Sequence, residues 1–282
     1  MSVSAAQVKE LREISGVGMM ECKKALDETN GDIQKALDLL RSNSSLKAEK
    51  KSKRVAADGL ILMSNGKNYT AIIEVNSETD FAAKDQKFLE FCDLVTKYVS
   101  KSIVNTAAEL NDALKDEREA LVQSIGENIQ IRRLNILQSE GTIGSYLHSD
   151  SKLGALVSIN SDNSELAKDL AMHVAASNPM CIKKEDIDQT TLNREKEIYK
   201  KQALESGKDD QIQNKMVEGK INRFLSEVSL LSQSFVKDPD KSIQELLHKH
   251  DTEVLEMVRF MVGEGIEVKE KDFAQEVADQ LK

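Results

Sequence analysis

The sequence contains no tryptophan, and only 4% of its 282 residues are aromatic. An aromatic residue in a polar segment therefore needs an explanation, because few are present to be spared from the core. Proline is scarce too, with two residues, so it can interrupt few helices or strands. The three cysteines, Cys22, Cys92 and Cys181, are an odd number without a CxxC pair, which argues against a disulfide framework and a zinc site.

Long hydrophobic runs are also missing. The longest, such as AIIEV and GALVSI, are far shorter than the roughly 20 residues that a membrane helix needs. The opening residues MSVSAAQVKELREISG have neither an apolar h-region nor an Arg-rich, acid-poor composition, so we expect no targeting peptide, no membrane partner and a cytoplasmic location. The net charge of −9 argues against nucleic acid as the main partner, because phosphate binding requires a basic surface.

The usual motifs of catalytic and nucleotide sites do not occur: there is no Walker loop, GxGxxG, HExxH or GxSxG. We therefore expect no catalytic residue, no metal and no cofactor. His173 falls on an apolar helix face and is predicted to pack. His248 and His250 are two residues apart and would not share a helix face, which disfavours a metal pair. His148 falls in a predicted hairpin turn, where partner contact and simple exposure both remain open.

The first 41 residues predict three short helices. Ser4 can cap the first helix, Gly18 the second, and apolar residues from Ile33 onward follow helical spacing in the third. The next segment, 42–54, is basic and without apolar periodicity. It is interpreted as a linker, either a solvated tether or an exposed helix, with contact to an acidic partner as a minor alternative.

The central region contains an internal repeat. GLILMSNGKNYTAIIEVNSETDF resembles GSYLHSDSKLGALVSINSDNS, and the segments YTAIIEVNS and LGALVSINS lie 84 positions apart. Each copy begins at a glycine, Gly59 or Gly144, and predicts a hairpin followed by an amphipathic helix. The sequence thus predicts an α+β core of two repeated subdomains.

The copies differ before the helix, where the first has ETDFAAKDQK and the second only DNS. Function is often built on such deviating loops, and this one holds Phe81 among polar residues. One interpretation folds Phe81 back onto its own core; the other makes it a wedge for a pocket of another protein. A catalytic or metal-binding role of Glu78, Asp80 and Asp85 is the least favoured, because no nucleophile or histidine accompanies them.

Two further helical regions follow the repeat. Residues 187–226 predict an antiparallel hairpin that protrudes from the body, with its break at ESGKDD and an apolar stripe on the returning arm. The tail DFAQEVADQLK predicts a short amphipathic helix within 268–282.

Several long segments, in order, resemble the translation elongation factor Ts family. They are LREISGVGMMECKKALDETNGDI, VAADG, EVNSETDFAAKDQKF, SIGENIQIRR, GSYLH, MHVAASNP, KMVEGKINRFLSEVSLLSQSFVKDP and VRFMVGEGIE. The resemblance implies a ubiquitin-associated-type (UBA-like) module at 1–41 and the basic linker at 42–54. It further implies subdomain N at 55–140, subdomain C at 141–186 and 227–267 around a coiled-coil hairpin at 187–226, and a C-terminal helical module at 268–282.

The resemblance also implies guanine-nucleotide exchange on elongation factor Tu, without catalytic chemistry or nucleotide binding by this chain. The implied contacts that dislocate Mg²⁺ from the partner are Thr79, Asp80, Phe81, Ala82 and Ala83. Further implied contacts are Met19, Met20, Lys23, Ile125, Gly126, His148 and Val236. The family usually has valine where Ala82 stands, which would remove some apolar contact beside Phe81.

Two alternatives and one question of stoichiometry stay open. The three-helix module alone also resembles nascent-chain-binding factors, which would make the chain a ribosome-side adaptor, although that role does not explain the TDF insertion or the hairpin. A metal enzyme is a distant third. The complex with elongation factor Tu is expected as one-to-one or as two-to-two with a homodimer of this chain.

Overall fold

The computed structural model describes residues 3–102 and 104–267. These residues form a mixed helix and sheet structure, so the predicted α+β class is confirmed. They divide into two compact units. The first contains residues up to 64, 71–135 and 260 onward; the second contains Asn65–Thr70 and Ile136–Arg259.

The α-helices in the described part of the chain range from a single turn to five turns. They are α1 (Ala5–Ser15), α2 (Met19–Glu28), α3 (Ile33–Lys51), α4 (Asp80–Ala83), α5 (Gln86–Lys101), α6 (Ala107–Ala113), α7 (Lys115–Ile125), α8 (Ser164–Ser177), α9 (Gln189–Glu205), α10 (Asp210–Val228) and α11 (Ile243–Lys249).

Within residues 3–102 and 104–267, the strands form two three-stranded sheets and one small two-stranded ribbon. They are β1 (Asp58–Asn65), β2 (Tyr69–Ser77), β3 (Gln130–Gln138), β4 (Thr142–Leu147), β5 (Leu153–Ile159), β6 (Ser234–Phe235), β7 (Asp238–Ser242) and β8 (Val254–Met261). The sheet orders are β1-β2-β3 and β4-β5-β8, so the second strand of each predicted hairpin is central.

The three N-terminal helices share a small apolar core that contains Leu11, Cys22 and Leu26. Ser4 caps α1 in a capping box with Gln7, as the sequence predicts, and Gly18 is the N-cap of α2. Ile14, next to the last residue of α1, is largely exposed.

The basic segment after these helices is not a solvated tether over most of its length. Helix α3 continues to Lys51, and Ser44 and Ala48 on it are buried. The helix packs on α7, where Ser45 Oγ donates a hydrogen bond of 3.3 Å to Glu119 Oε1. Small residues at 44 and 48, four positions apart on one face of the helix, allow this contact.

Each half of the internal repeat folds as a hairpin followed by a helix. In the second copy β4 pairs antiparallel with β5, from Thr142 opposite Ile159 to Leu147 opposite Gly154. In the first copy β1 and β2 are neighbours joined at residues 66–68. The helices that follow are α5, which buries Phe88 and Phe91, and α8, which buries Leu170 and Val174.

The glycine that corresponds to Gly59 is Gly141, and the sequence pairing with Gly144 was wrong. A Cβ at Gly59 would lie 2.0 Å from Val75 O, and one at Gly141 would lie 2.1 Å from Ile159 O. Both glycines thus permit the same close contact with the central strand of their own sheet. Gly144 instead meets the α8 backbone, 2.0 Å from Ala167 O.

Helices α9 and α10 run antiparallel, joined by residues 206–209. Ser206 lies beside Met216, and Lys220 Nζ donates to Gln202 Oε1 and stands over the Tyr199 ring. As the residue number falls along α9, the number of its contact on α10 rises, so the two helices run in opposite directions.

The predicted tail helix lies outside the described residues. Among the residues that the structure does describe, no helix combines the length and apolar character needed to cross a bilayer.

Candidate functional site

The insertion in the first repeat forms a single helical turn, α4, between β2 and α5. Thr79 is its N-cap, and Thr79 Oγ1 accepts a hydrogen bond of 3.2 Å from the Ala82 N–H. Asp80 forms an exposed ion pair of 2.8 Å with Lys84 one turn later. That pair raises the pKa of Lys84 through its hydrogen bond to Asp80. Asp85 then caps α5 by accepting from the Lys87 N–H. The segment is therefore an ordered turn.

Phe81 is 81% exposed, the highest fraction among the exposed large hydrophobic side chains of the described chain. This rules out the interpretation in which Phe81 folds back onto its own core. Ala82 and Ala83 differ, with 4% and 2% of their surface exposed. These two side chains thus pack within this protein, and the contact of Ala82 and Ala83 with a partner stays a prediction. Successive side chains of a helical turn point in different directions, so Phe81 faces outward while Ala82 and Ala83 face the protein.

The loop after α7 holds this turn by hydrogen bonds. Glu127 accepts three: from the Glu78 N–H at 3.1 Å, the Thr79 N–H at 3.0 Å and the Thr79 hydroxyl at 2.7 Å. In the reverse direction, Glu78 Oε1 accepts from the Asn128 N–H at 2.6 Å. Arg54 pairs with the same Glu78 oxygen at 3.5 Å.

The carboxylates weighed as an acid/base or metal cluster thus serve the local fold. Glu78 binds a backbone amide and Arg54, Asp80 pairs with Lys84, and Asp85 caps a helix. The structure shows no group of three or more His, Cys, Asp and Glu suited to a metal within its described ranges.

Two other predicted contact segments lie next to this turn in the first unit. Ile125 is half-buried at the end of α7, and Gly126 caps that helix in the left-handed region at φ 89°. Ser124 at the same helix end and Lys87 at the start of α5 hold the α1–α2 turn, because Ser124 Oγ and Lys87 Nζ donate to Gly16 O at 2.9 and 3.1 Å.

The predicted contacts on α2 lie just beyond that turn. Met20 is 78% exposed, and Met19 and Lys23 are exposed as well. Glu127, just after α7, thus positions the Phe81 turn, while Ser124 and Lys87 position the loop that leads into the methionines.

The second unit carries the remaining two predicted residues. His148 is exposed in the β4–β5 turn, where its Nδ1 lies 2.9 Å from Asp150 Oδ1. The Lys152 N–H and then His148 lower the pKa of Asp150. The hairpin placement of His148 is therefore confirmed, while its contact with a partner stays a prediction.

Val236 is 40% exposed after β6, and its N–H donates to Nδ1 of His173 at 3.3 Å. His173 is fully buried on α8, pairs through Nε2 with Gln233 Oε1 at 2.9 Å and stacks at a tilt on Phe235. Burial lowers the pKa of His173, partly offset by the Gln233 hydrogen bond. The predicted packing role is confirmed, and the histidine also orients the segment that presents Val236.

A buried carboxylate anchors the strand that leads into the Phe81 turn. Glu74 on β2 has no exposed surface and accepts from Arg132 at 3.1 Å, from the Gly263 N–H at 2.8 Å and from Arg133. Burial alone would raise the pKa of Glu74, but the hydrogen bonds from Gly263, Asn76 and Arg133 outweigh it and lower the pKa.

Sequence reasoning assigned no role to Glu127, Lys87 or Glu74. Glu127 and Asn128 directly follow a helix-ending glycine, and polar residues there often hold neighbouring backbone. That signal was available, but nothing in the sequence indicates which distant segment they reach.

The whole chain is similar to known proteins of one family. A family model described as Elongation factor TS matches residues 78–264. Elongation factor Ts of Hahella chejuensis is 50% identical over all of this chain and 99% of its own length. The proteins of that name from Teredinibacter turnerae and Legionella pneumophila (strain Lens) are 49% and 44% identical, each over all of this chain and at least 98% of their own length. The chain therefore belongs to the elongation factor Ts family of translation elongation factors.

Proposed function

We propose that this chain is the guanine-nucleotide exchange factor for elongation factor Tu. It binds the GDP form, disturbs the Mg²⁺ and phosphate site, and releases GDP so that GTP can bind. The observation that carries the proposal is Phe81, a large apolar side chain 81% exposed on a hydrogen-bonded turn. An exposed Phe side chain on an ordered turn is not stabilised by burial in its own core, so we infer that it is buried in a pocket of another protein.

The mechanism follows from linkage. A protein that binds the nucleotide-free partner tightly must weaken nucleotide binding by the same factor. Phe81 enters a pocket beside the partner's switch elements and displaces a helix, with Asp80 at its side. The shell that holds Mg²⁺ on the nucleotide phosphates is thereby disturbed, and GDP leaves because it has lost an electrostatic clamp. Incoming GTP later expels the exchange factor.

The other predicted residues fit the same partner as secondary contacts. Met19, Met20 and Lys23 are exposed on α2, and Ile125 and Gly126 end the helix that precedes Glu127, all in the first unit. His148 and Val236 supply contacts from the second. Thr79 takes part by holding the turn, and Ala82 and Ala83 enter through their backbone or by packing beneath it.

The proposal includes the domain plan that the family resemblance implies. Helices α1–α3 form the UBA-like module, α9 and α10 the coiled-coil hairpin, and 268–282 the C-terminal module. The chain acts in the cytoplasm as an exchange factor rather than an enzyme, without cofactor, bound nucleotide, nucleic acid or membrane. A homodimer within a two-to-two complex is part of the same proposal.

The test is stopped-flow release of fluorescent GDP from elongation factor Tu of the same organism, with and without this protein. We expect release to accelerate by orders of magnitude. A folded protein that leaves the rate unchanged would overturn the proposal.

A further inference from the structure

We infer that Glu127 is a positioning residue of the exchange reaction: its carboxylate fixes the Phe81 turn in the orientation that the partner meets. The inference deepens the proposed function and rests on it for the activity that it explains. Glu127 itself lies outside the set of predicted contacts, and it acts through the residues that it holds.

The first step is the hydrogen bonding of Thr79. Its hydroxyl donates to Glu127 Oε1 at 2.7 Å and accepts from the Ala82 N–H at 3.2 Å. Since a hydroxyl has one proton, donation to Glu127 orients it and leaves a lone pair for the Ala82 amide. The carboxylate thereby sets the N-cap geometry of α4, the turn on which Phe81 stands.

The second step is the backbone before the turn. The N–H groups of Glu78 and Thr79 both donate to Glu127 Oε2, at 3.1 and 3.0 Å. An ionised carboxylate, with two oxygens that only accept, can take all three donors. A glutamine side chain at this position cannot accept all three hydrogen bonds, because its NH₂ group is itself a donor and would face another donor group.

The third step is the reciprocal bond. Glu78 Oε1 accepts from the Asn128 N–H at 2.6 Å, so each segment holds the other with a side chain. Glu127 directly follows Ile125 and Gly126, which are predicted contacts themselves. The crossed bonds therefore fix the distance between Phe81 and that second contact, and binding need not order the two segments anew.

The experiment compares the wild type with Glu127→Ala, Glu127→Gln, Phe81→Ala and the double variant E127A/F81A, with Glu140→Ala as the matched control. Glu140 is an exposed glutamate of the second unit. Two quantities are measured. One is the rate of GDP release from elongation factor Tu as a function of the concentration of this protein, and the other is amide hydrogen exchange of residues 78–83 in this protein. Circular dichroism melting confirms that each variant is folded.

We expect E127A to lower the maximal release rate about tenfold, the equivalent of about 1.4 kcal/mol and close to the contribution of one hydrogen bond to a charged group. The concentration of this protein that gives half of the maximal release rate should change by a smaller factor than the maximal rate. E127Q should lie between E127A and wild type, because its oxygen still accepts from the Thr79 hydroxyl. E127A/F81A should be no slower than F81A, because Glu127 acts through Phe81.

Three results would overturn the inference: a normal release rate in E127A, effects of E127A and F81A that multiply, or unchanged hydrogen exchange at 78–83 in E127A. If the wild-type protein does not accelerate GDP release from elongation factor Tu, the proposed function fails instead. Hydrogen exchange then still decides whether Glu127 holds the turn: faster exchange in E127A supports the positioning role, and unchanged exchange refutes it.

Discussion

Replacing Phe81 by alanine should impair GDP release far more than it affects the protein's own stability. Phe81 is 81% exposed, so nearly its whole side chain is available for burial in a partner. Burying a Phe side chain is worth roughly 2 to 3 kcal/mol. If that burial occurs only as nucleotide is displaced, its loss slows release by about 25- to 150-fold.

The stability of the variant should remain close to that of the wild type. Surface substitutions usually change the free energy of unfolding by at most about 0.5 kcal/mol. Phe88, seven positions later on α5, provides the matched contrast because it has no exposed surface. Phe88→Ala should cost about 3 to 5 kcal/mol of stability through cavity formation. Phe→Ala is thus expected to leave stability nearly unchanged at position 81 and to lower it strongly at position 88.

The assay is stopped-flow release of fluorescent GDP from elongation factor Tu over a range of factor concentrations, with urea denaturation of each variant. Leu204→Ala at the end of α9 controls for loss of any exposed apolar side chain. A Phe81→Ala variant with the wild-type maximal rate and only weaker binding would refute the wedge, because its contact would then be uniform binding energy. A large loss of stability would refute the exposed placement.

Three further predictions concern the scaffold. Burial raises the pKa of the Cys92 thiol to about 12, so thiol reagents at neutral pH should label Cys92 only after unfolding, as peptide mass mapping would show; labelling of the native protein would contradict this. The folded-state pKa of His173 lies below its ordinary 6.5, so the unfolded chain binds the proton more readily and the free energy of unfolding should fall as the pH drops below that value. Urea denaturation at neutral and mildly acidic pH measures this fall, which His173→Gln should reduce; an equal fall in both would assign it to other groups. Glu74→Gln should cost roughly 3 to 5 kcal/mol, since it removes the buried carboxylate that Arg132 and Arg133 share and leaves Arg133 only its ion pair with Glu264; unchanged urea stability would show that this network contributes little.

The local structure of the chain was largely readable from its sequence. Ser4 and Gly18 cap their helices as predicted, and the repeated hairpins follow from short hydrophobic strands separated by polar turns. These features depend on neighbours within a few positions, where capping and periodicity act. For the basic segment after residue 41 the sequence left a tether and an exposed helix open, and the structure has a helix that packs on α7. The packing was not predicted because it uses small residues rather than large apolar ones.

The candidate site divides in the same way. The sequence by itself determined that a deviating loop carries Phe81, because a lone aromatic in a polar insertion stands out in a chain with 4% aromatics. Only the tertiary structure decided that Phe81 is exposed while Ala82 and Ala83 are buried. It alone also showed that Glu127, 48 positions beyond Thr79, holds the turn. Hydrogen bonds between distant segments depend on where the fold brings backbone amides and carboxylates together, and sequence spacing does not carry that information.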